Sequence, residues 1–462
     1  MKKAISIFWL RRDLRIHDNA ALDWACENSS AVMPVYIHSP EEEMPWAPGA
    51  ASRWWLHHSL LSLQKKLADK GLKLHFYCGN SEDVMPKIIA ESKADSLVYN
   101  RLYEQRLYDR DLRIEKTLQD KVEINVFDSG LFFPPGTVLN NQRLPYRVYT
   151  PFYKKLRPLL SASISQKQSR SSSDGSKAPE SVSLSSGLPL KALALLDDHT
   201  WHEKLASHWL PGEDRACELL DTFIDSAVDH YEVERDMPAA DATSRLSPYL
   251  HFGEITPQQI YVALWPLLEG EGDAGAARSA EVFLKQLIWR EFAHNVLWHF
   301  PETATKPMNP RYQEKFWRSS RSDFDAWSKG ETGIPIIDAG MKQLWETGWM
   351  HNRVRMIVSS FLTKNLGINW LDGARWFWDT LVDADLANNS MGWQWVAGCG
   401  VDAAPYYRVF NPVRQTQRFD ENKKYIDRWV PEHIEPDYPQ PMVDLAGSRA
   451  EALSRYKLNI TS

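Results

Sequence analysis

Over its first 130 residues the chain alternates short strand-like runs with helix-spaced segments, and few folds accept that order. Residues 4–10, 31–38, 73–78, 96–102 and 123–127 are apolar and rich in β-branched or aromatic side chains. Between them, 53–68 and 107–118 carry apolar residues at helical spacing. Strands interleaved with helices predict a parallel, Rossmann-like α/β sheet that can hold a ligand at its carboxyl edge. No GxGxxG follows the first strand, so the dinucleotide fingerprint is absent. Residues 161–186 break the pattern: 12 of these 26 positions are Ser, which reads as a linker or surface loop. From residue 188 onward the apolar spacing is helical, as in LKQLIWREFAHNVLWHF (284–300) and WMHNRVRMIVSSFL (349–362). The expected layout is an α/β domain over 1–130, an interdomain linker with the Ser-rich loop over 131–198, and a larger all-α domain over 199–462.

Several function classes drop out. No apolar run reaches about 18 residues, so no spanning helix is expected. The opening MKKAISIFWLRRDLR regains charge after seven residues and reads as a first strand rather than a signal peptide. Cys26, Cys78, Cys217 and Cys399 lie far apart, which excludes CxxC-type zinc spacing and a disulfide framework and suits a reducing cytoplasm. The net charge of -6 argues against a nucleic-acid surface covering the whole chain, but phosphates respond to a local patch. A monomer without a resident metal is expected.

The helical half holds polar residues where a helical core prefers none. TSRLSPYLHFGEIT (243–256) gathers Thr243, Ser244 and Ser247 around Arg245, hydroxyls that can bind a phosphate at a helix start or simply cap it. Gln286, Trp289, Arg290 and Ala293 fall on one helix face, as do Asn352, Arg355 and Met356, with Arg353 beside them. Arginines in an apolar helix need partners, either a structural ion pair or an anionic ligand. Segment 381–412 packs Asp383, Asp385, Asn388 and Asn389 into seven residues ahead of Trp393 and Trp395. No His or Glu there completes a metal ligand set, and hydrogen bonding to a polar heterocycle fits better. Residues 405–430 set Arg408, Arg414, Arg418, Lys423, Lys424 and Arg428 against Asp420, Glu421 and Asp427, with Tyr406, Tyr407 and Phe410 interleaved. That run suits a nucleic-acid surface or an ordinary charge-mixed face.

Together, FWLRRDLRIHDN (8–19), TSRLSPYLHFGEIT, LIWREF (287–292), TGWMHNRVRMIVSSFLTK (347–364) and DADLANNSMGWQWVAGCGVDAAPYYRVFNP (383–412) resemble the photolyase/cryptochrome family. Within it the chain looks most like bacterial cyclobutane pyrimidine dimer photolyases. The resemblance implies a non-covalent FAD in the helical domain and blue-light-driven repair of a dimer flipped out of damaged DNA, by electron transfer from excited reduced FAD. It implies that Tyr231 and the loop Thr243, Ser244, Arg245, Leu246 and Ser247 hold the phosphates. Arg290, Asn352, Arg355, Asp383, Asp385 and Asn389 would surround the rings, with Arg355 and Asp383 as an ion pair and Asn389 facing flavin N5. In the family an Asn there goes with photolyases, whereas plant cryptochromes carry Asp and many animal ones Cys. Trp289 and Trp395 would stack on the dimer, Met356 and Asn352 would line its cavity, and Arg235, Arg353 and Arg408 would contact phosphates. A relay Trp393 to Trp370 to Trp317 would re-reduce the flavin.

The sequence departs from that pattern in two places. Gln286 stands where dimer photolyases carry Glu. The (6-4) photolyases carry Gln there but pair it with two His, at positions held here by Asn352 and Met356. A cryptochrome-like light sensor and a changed lesion specificity therefore stand as alternatives to dimer repair. In YEQRLYDRD (103–111), Arg106 and Leu107 replace the Asn-Glu pair of folate-binding relatives, leaving a folate, a deazaflavin or an empty antenna pocket open.

Overall fold

The computed structural model describes residues 3–167, 180–182, 184, 186–196, 200–270, 274–403 and 407–461. Strands β1 (Lys3–Leu10), β2 (Ser29–His38), β3 (His75–Cys78), β4 (Ser96–Asn100) and β5 (Glu123–Phe127) form a parallel sheet in the order β3-β2-β1-β4-β5. Helices α1 (Ala20–Asn28), α2 (Ala50–Asp69), α3 (Ser81–Ser92) and α4 (Gln105–Leu118) make the crossovers. Caps chosen by sequence start two of them: Asn19 accepts from Leu22 N–H and Asn80 from Glu82 N–H. The central strands β1, β2 and β4 are buried on both faces, which is why they read as continuous apolar runs. The order reverses between β1 and β4, and a crevice opens at their carboxyl ends.

The Ser-rich stretch departs from the expected loop at both margins. Helix α5 (Tyr149–Lys167) runs through its first seven residues, because Phe152, Leu156 and Leu160 keep one face buried in the main core. Strand β6 (Glu180–Ser181) pairs with the amino-terminal part of β2. Residues 168–179 lie outside those described.

The helical half comprises α6 (Glu213–Ser226), α7 (Tyr231–Glu234), α8 (Ser247–Phe252), α9 (Pro257–Leu268), α10 (Ala274–His299), α11 (Arg321–Lys329), α12 (Pro335–Thr347), α13 (Asn352–Ser360), α14 (Trp370–Thr380), α15 (Leu386–Ala397), α16 (Pro412–Phe419), α17 (Lys424–Trp429) and α18 (Leu445–Tyr456). The long α10 packs on α9 and α15. A turn of π-helix, Phe361–Asn365, extends α13.

The two halves meet where α8 ends. Gly253 takes φ +67, and a Cβ there would collide with the Arg12 carbonyl, so only glycine lets α8 reach the β1 edge. Arg15 Nη1 donates to the Gly253 carbonyl at 2.9 Å, and the Leu14 N–H to the Phe252 carbonyl at 3.1 Å. The motif that sequence marked as a phosphate loop is thus also the seam between the halves.

Candidate functional site

Three polar groups converge on Asp383. Arg355 Nη2 donates to its Oδ2 at 2.8 Å and Ser247 Oγ to the same oxygen at 2.6 Å. Its other oxygen, Oδ1, is buried and has no partner among the described residues. Arg355 comes from α13, where His351 caps the start by accepting from Arg353 N–H. Arg355 Nε also donates to the Met350 carbonyl at 2.7 Å, so the guanidinium is braced from two sides. A buried carboxylate with one unspent oxygen, beside a fixed cation, is a receptor for an N–H donor on a flat ring. Asn352 is exposed, while Met356 and Asn389 are half-buried. Asn389 Nδ2 donates to the Ala374 carbonyl at 3.0 Å, which spans α15 to α14.

Leading into α8, Arg245 takes φ +53, which turns the backbone of the hydroxyl loop. Thr243 and Ser244 are half-buried, Arg245 and Ser247 exposed and Leu246 buried. Tyr231 is buried on α7, and the Arg235 guanidinium carbon lies 5.5 Å from its ring centre. This donor set of hydroxyls, amides, a guanidinium and an under-used carboxylate fits the phosphates and ring edges of an FAD.

Asp385 plays a different structural part. Its Oδ1 caps α15, accepting from Asn388 N–H at 2.9 Å and Asn388 Nδ2 at 2.7 Å. Its Oδ2 lies 3.5 Å from His251 Nδ1 and 3.3 Å from His294 Nε2. Burial opposes its ionisation, but His294, His251 and Arg290 outweigh it and hold the carboxyl well below its usual range. Arg290 donates to the Gly130 carbonyl at 2.6 Å and the Leu250 carbonyl at 3.3 Å. Arg290 and Asp385 line the sheet crevice, an open pocket shared with Arg12, Asn100, Arg101 and Glu104. Leu107 lines the neighbouring pocket with Tyr36, Glu43 and Arg110, while Arg106 bonds the Met44 carbonyl.

On α10, Gln286 and Trp289 share a face as expected. Gln286 Oε1 accepts from Arg235 Nη2 at 3.0 Å, and Gln286 Nε2 donates to the Val282 carbonyl at 2.9 Å. Arg353 pairs with Asp236 at 2.8 Å and lies 4.2 Å over the Phe419 ring. Arg408 is exposed, and Tyr406 lies outside the described residues. Trp289 stacks on Tyr149 with ring centres 3.7 Å apart and planes 5° apart, and Trp395 Nε1 donates to the Asp402 carbonyl at 2.9 Å. Asp236, Tyr149, Asp402, His251 and His294 are neighbours of the site that sequence reasoning missed. Asp236 and Tyr149 lie outside the segments singled out by sequence, whereas His251, His294 and Asp402 lie inside them but carry no spacing signal.

The three tryptophans expected to form a relay lie in one apolar cluster, with Trp393 and Trp370 buried and Trp317 half-buried. Trp393 packs against Gly373 of α14, the helix that Trp370 begins. The Arg318 N–H donates to the Gly367 carbonyl at 2.7 Å, which lays the Trp317 segment beside the start of α14. Ring contacts to Trp393 come from Phe377 at 4.9 Å and Trp327 at 6.2 Å, another residue that sequence reasoning missed.

Residues 6–169 match the family described as DNA photolyase, and residues 283–435 match the FAD binding domain of DNA photolyase. The chain is 39% identical to the deoxyribodipyrimidine photo-lyase of Agrobacterium fabrum, over 99% of this chain and 98% of that one. It is 35% identical to the Escherichia coli enzyme of the same name, over 98% of each. The crystal structure of a bacterial class III photolyase from Agrobacterium tumefaciens superposes with a TM-score of 0.89 at 38% identity, covering 100% of this chain and 99% of that one. The chain belongs to the DNA photolyase family, and its helical half carries that family's FAD-binding domain.

Proposed function

We propose that the protein is a light-driven deoxyribodipyrimidine photo-lyase that repairs cyclobutane pyrimidine dimers in DNA. The observation that carries this reading is the pairing of two environments across the helical domain. One is the Arg355–Asp383–Ser247 cluster, suited to a flavin ring. The other is the α10 face presenting Gln286 and Trp289, backed by Arg235. Bound FAD supplies the photoexcited electron donor.

The chain's own residues do the rest. Asp383 offers its unspent oxygen to a ring N–H, and Arg355 holds that carboxylate in place. Thr243, Ser244 and the backbone of the Thr243–Ser247 loop receive the phosphates, with Tyr231 behind them, while the Ser247 hydroxyl stays on Asp383. Trp289 and Trp395 give an extruded dimer flat apolar surfaces, Met356 and Asn352 bound its cavity, and Gln286 donates an amide hydrogen to a base carbonyl. Arg235, Arg353 and Arg408 engage the phosphates flanking the lesion. Trp393 passes electrons inward from Trp370 and Trp317. Its Nε1 is buried without a partner among the described residues, so no acceptor takes its proton when it is oxidised. The pocket that Leu107 lines with Tyr36, Glu43 and Arg110 is the antenna pocket of this reading.

Gln286 favours a second reading, because Arg235 and Val282 hold it and it offers the base an amide rather than a carboxyl. Under that reading the protein is a cryptochrome-like receptor or repairs another lesion. Illuminating the reduced holoprotein with DNA carrying one defined cyclobutane dimer separates these. Restored thymines are expected. No restoration under blue light refutes dimer repair, and a parallel (6-4) substrate assigns the lesion.

A further inference from the structure

Trp289 and Trp395 sit on different helices, yet two residues outside both, Tyr149 and Asp402, bind them into a single unit. Tyr149, the first residue of α5, covers one face of the Trp289 indole at 3.7 Å and 5°. Its hydroxyl donates to the Lys285 carbonyl at 2.9 Å, which fastens the ring to α10 itself. The Tyr149 N–H donates to Asp402 Oδ1 at 3.1 Å. The Asp402 carbonyl then accepts from Trp395 Nε1 at 2.9 Å, and the Asp402 N–H donates to the Arg147 carbonyl at 3.1 Å. Asp402 holds all three bonds at φ +51, a left-handed conformation that Asp, Asn and Gly adopt more readily than other residues. Phe292 meets the edges of both stacked rings, at 6.0 Å from Tyr149 and 5.8 Å from Trp289. Among the described residues no other ring stacks on Trp289, and the indole is half-buried, so on the stacking reading a base meets its other face.

We propose that Tyr149 and Asp402 are positioning residues that fix the two indoles relative to each other and so set the width of the lesion cavity. Tyr149 acts through the Trp289 face it covers, and Asp402 through the bond that joins Tyr149 to Trp395. The proposal rests on the reading that Trp289 stacks on the dimer. A free indole on α10 can turn about its side-chain bonds, whereas one sandwiched against an anchored tyrosine meets a base in one orientation. The geometric selection falls on damaged DNA, because undamaged duplex does not enter the cavity.

The test uses the full-length FAD-loaded protein and two oligonucleotide duplexes, one with a single thymine dimer and one without. Tyr149→Leu is expected to weaken dimer binding about 3- to 10-fold, the range an aromatic pair is worth. Affinity for the undamaged duplex and FAD content should stay as in the parent. Tyr149→Phe keeps the stack and should restore the dimer affinity. Asp402→Gly tolerates the positive φ but removes the acceptor for Tyr149 N–H, and should lose dimer affinity, whereas Asp402→Asn keeps an oxygen and should retain it. Trp289→Ala serves as the control. If it weakens dimer binding while Tyr149→Leu and Asp402→Gly do not, the bracket is wrong and the stacking role of Trp289 stands. If Trp289→Ala changes neither affinity, both are wrong. If Tyr149→Leu fails to fold, the Asp402→Gly and Asp402→Asn pair decides alone, and equal affinities for the two overturn the proposal.

Discussion

Glu254 lies at the seam between the halves, fully buried, with its Oε2 accepting from Trp55 Nε1 at 3.0 Å. Burial pushes its carboxyl up from 4.5 to about 8, and Glu213 adds to that, while the Trp55 indole bond pulls it partly back. The folded carboxyl holds its proton more tightly than the unfolded one. Its contribution to stability is therefore complete below about pH 4.5 and is lost as pH rises through about 8. One proton is involved, so the loss approaches about 1.4 kcal/mol per pH unit inside that window, and about 5 kcal/mol in full. Glu254→Gln mimics the protonated acid, keeps an oxygen for Trp55 and has no proton to lose. A chain of this size unfolds with an entropy near 1 kcal/mol/K, so 1 kcal/mol moves the Tm by about 1 °C. Between about pH 5.5 and 7.5 the Tm of the parent should fall by about 3 °C relative to Glu254→Gln. Every other titrating group is common to both proteins and cancels in the difference. Thermal melts of the two holoproteins across that range measure it, and parallel curves would refute the assignment of a neutral carboxyl at the seam.

Three further outcomes follow from the site. Gln286→Glu turns the hydrogen bond from Arg235 into an ion pair, worth about 1 kcal/mol more, and puts a carboxyl beside the base, which should raise dimer repair about 5-fold; an unchanged or lower yield per absorbed photon counts against this position. Trp393→Phe should slow photoreduction of the bound flavin under external thiol, followed by its absorbance, and an unaffected rate removes Trp393 from the relay. Asp383→Asn leaves the Arg355 guanidinium without its counter-charge at a cost of about 2–3 kcal/mol, discounted for its partial exposure. It should lower FAD per chain after gel filtration, and full retention of FAD would show that the pair does not hold the cofactor.

Sequence patterning predicted the sheet well, and its errors have local causes. The run at 73–78 yields only β3 (His75–Cys78), because Lys73 N–H is taken by the Ser181 hydroxyl rather than by β2. Helix α10 begins ten residues before the segment where strong apolar periodicity starts, since its first turns are small residues that satisfy helical propensity without a stripe. The seven residues of 161–167 were read as loop from their serines, yet the apolar spacing of α5 carries the helix through them. At the site, the residue types were legible because polar groups in an apolar helix violate the binary pattern. Their partners were not. Arg353 meets Asp236, and Trp289 meets Tyr149, across separations that no periodicity encodes.

The polar residues of the helical half sort by where their hydrogen bonds end. Gln394 donates to the Thr303 and Lys306 carbonyls and accepts from Met308 N–H, so its amide closes a turn within the protein. Lys364 donates to the Ala397 carbonyl under the ring of Tyr407, and burial holds its amine well below its usual range. Both are buried and internally satisfied, which is what a structural role requires. Asp383 differs: two donors crowd one oxygen while the other, equally buried, receives none. Desolvating a carboxylate and leaving half of it unpaired is costly within the protein alone, so that cost points to a donor from a bound molecule. Gln286 stands between these cases, satisfied within the protein by Arg235 and Val282. The amide nitrogen carries a second hydrogen that neither bond uses, so Gln286 is held in one orientation and still has a donor for a base.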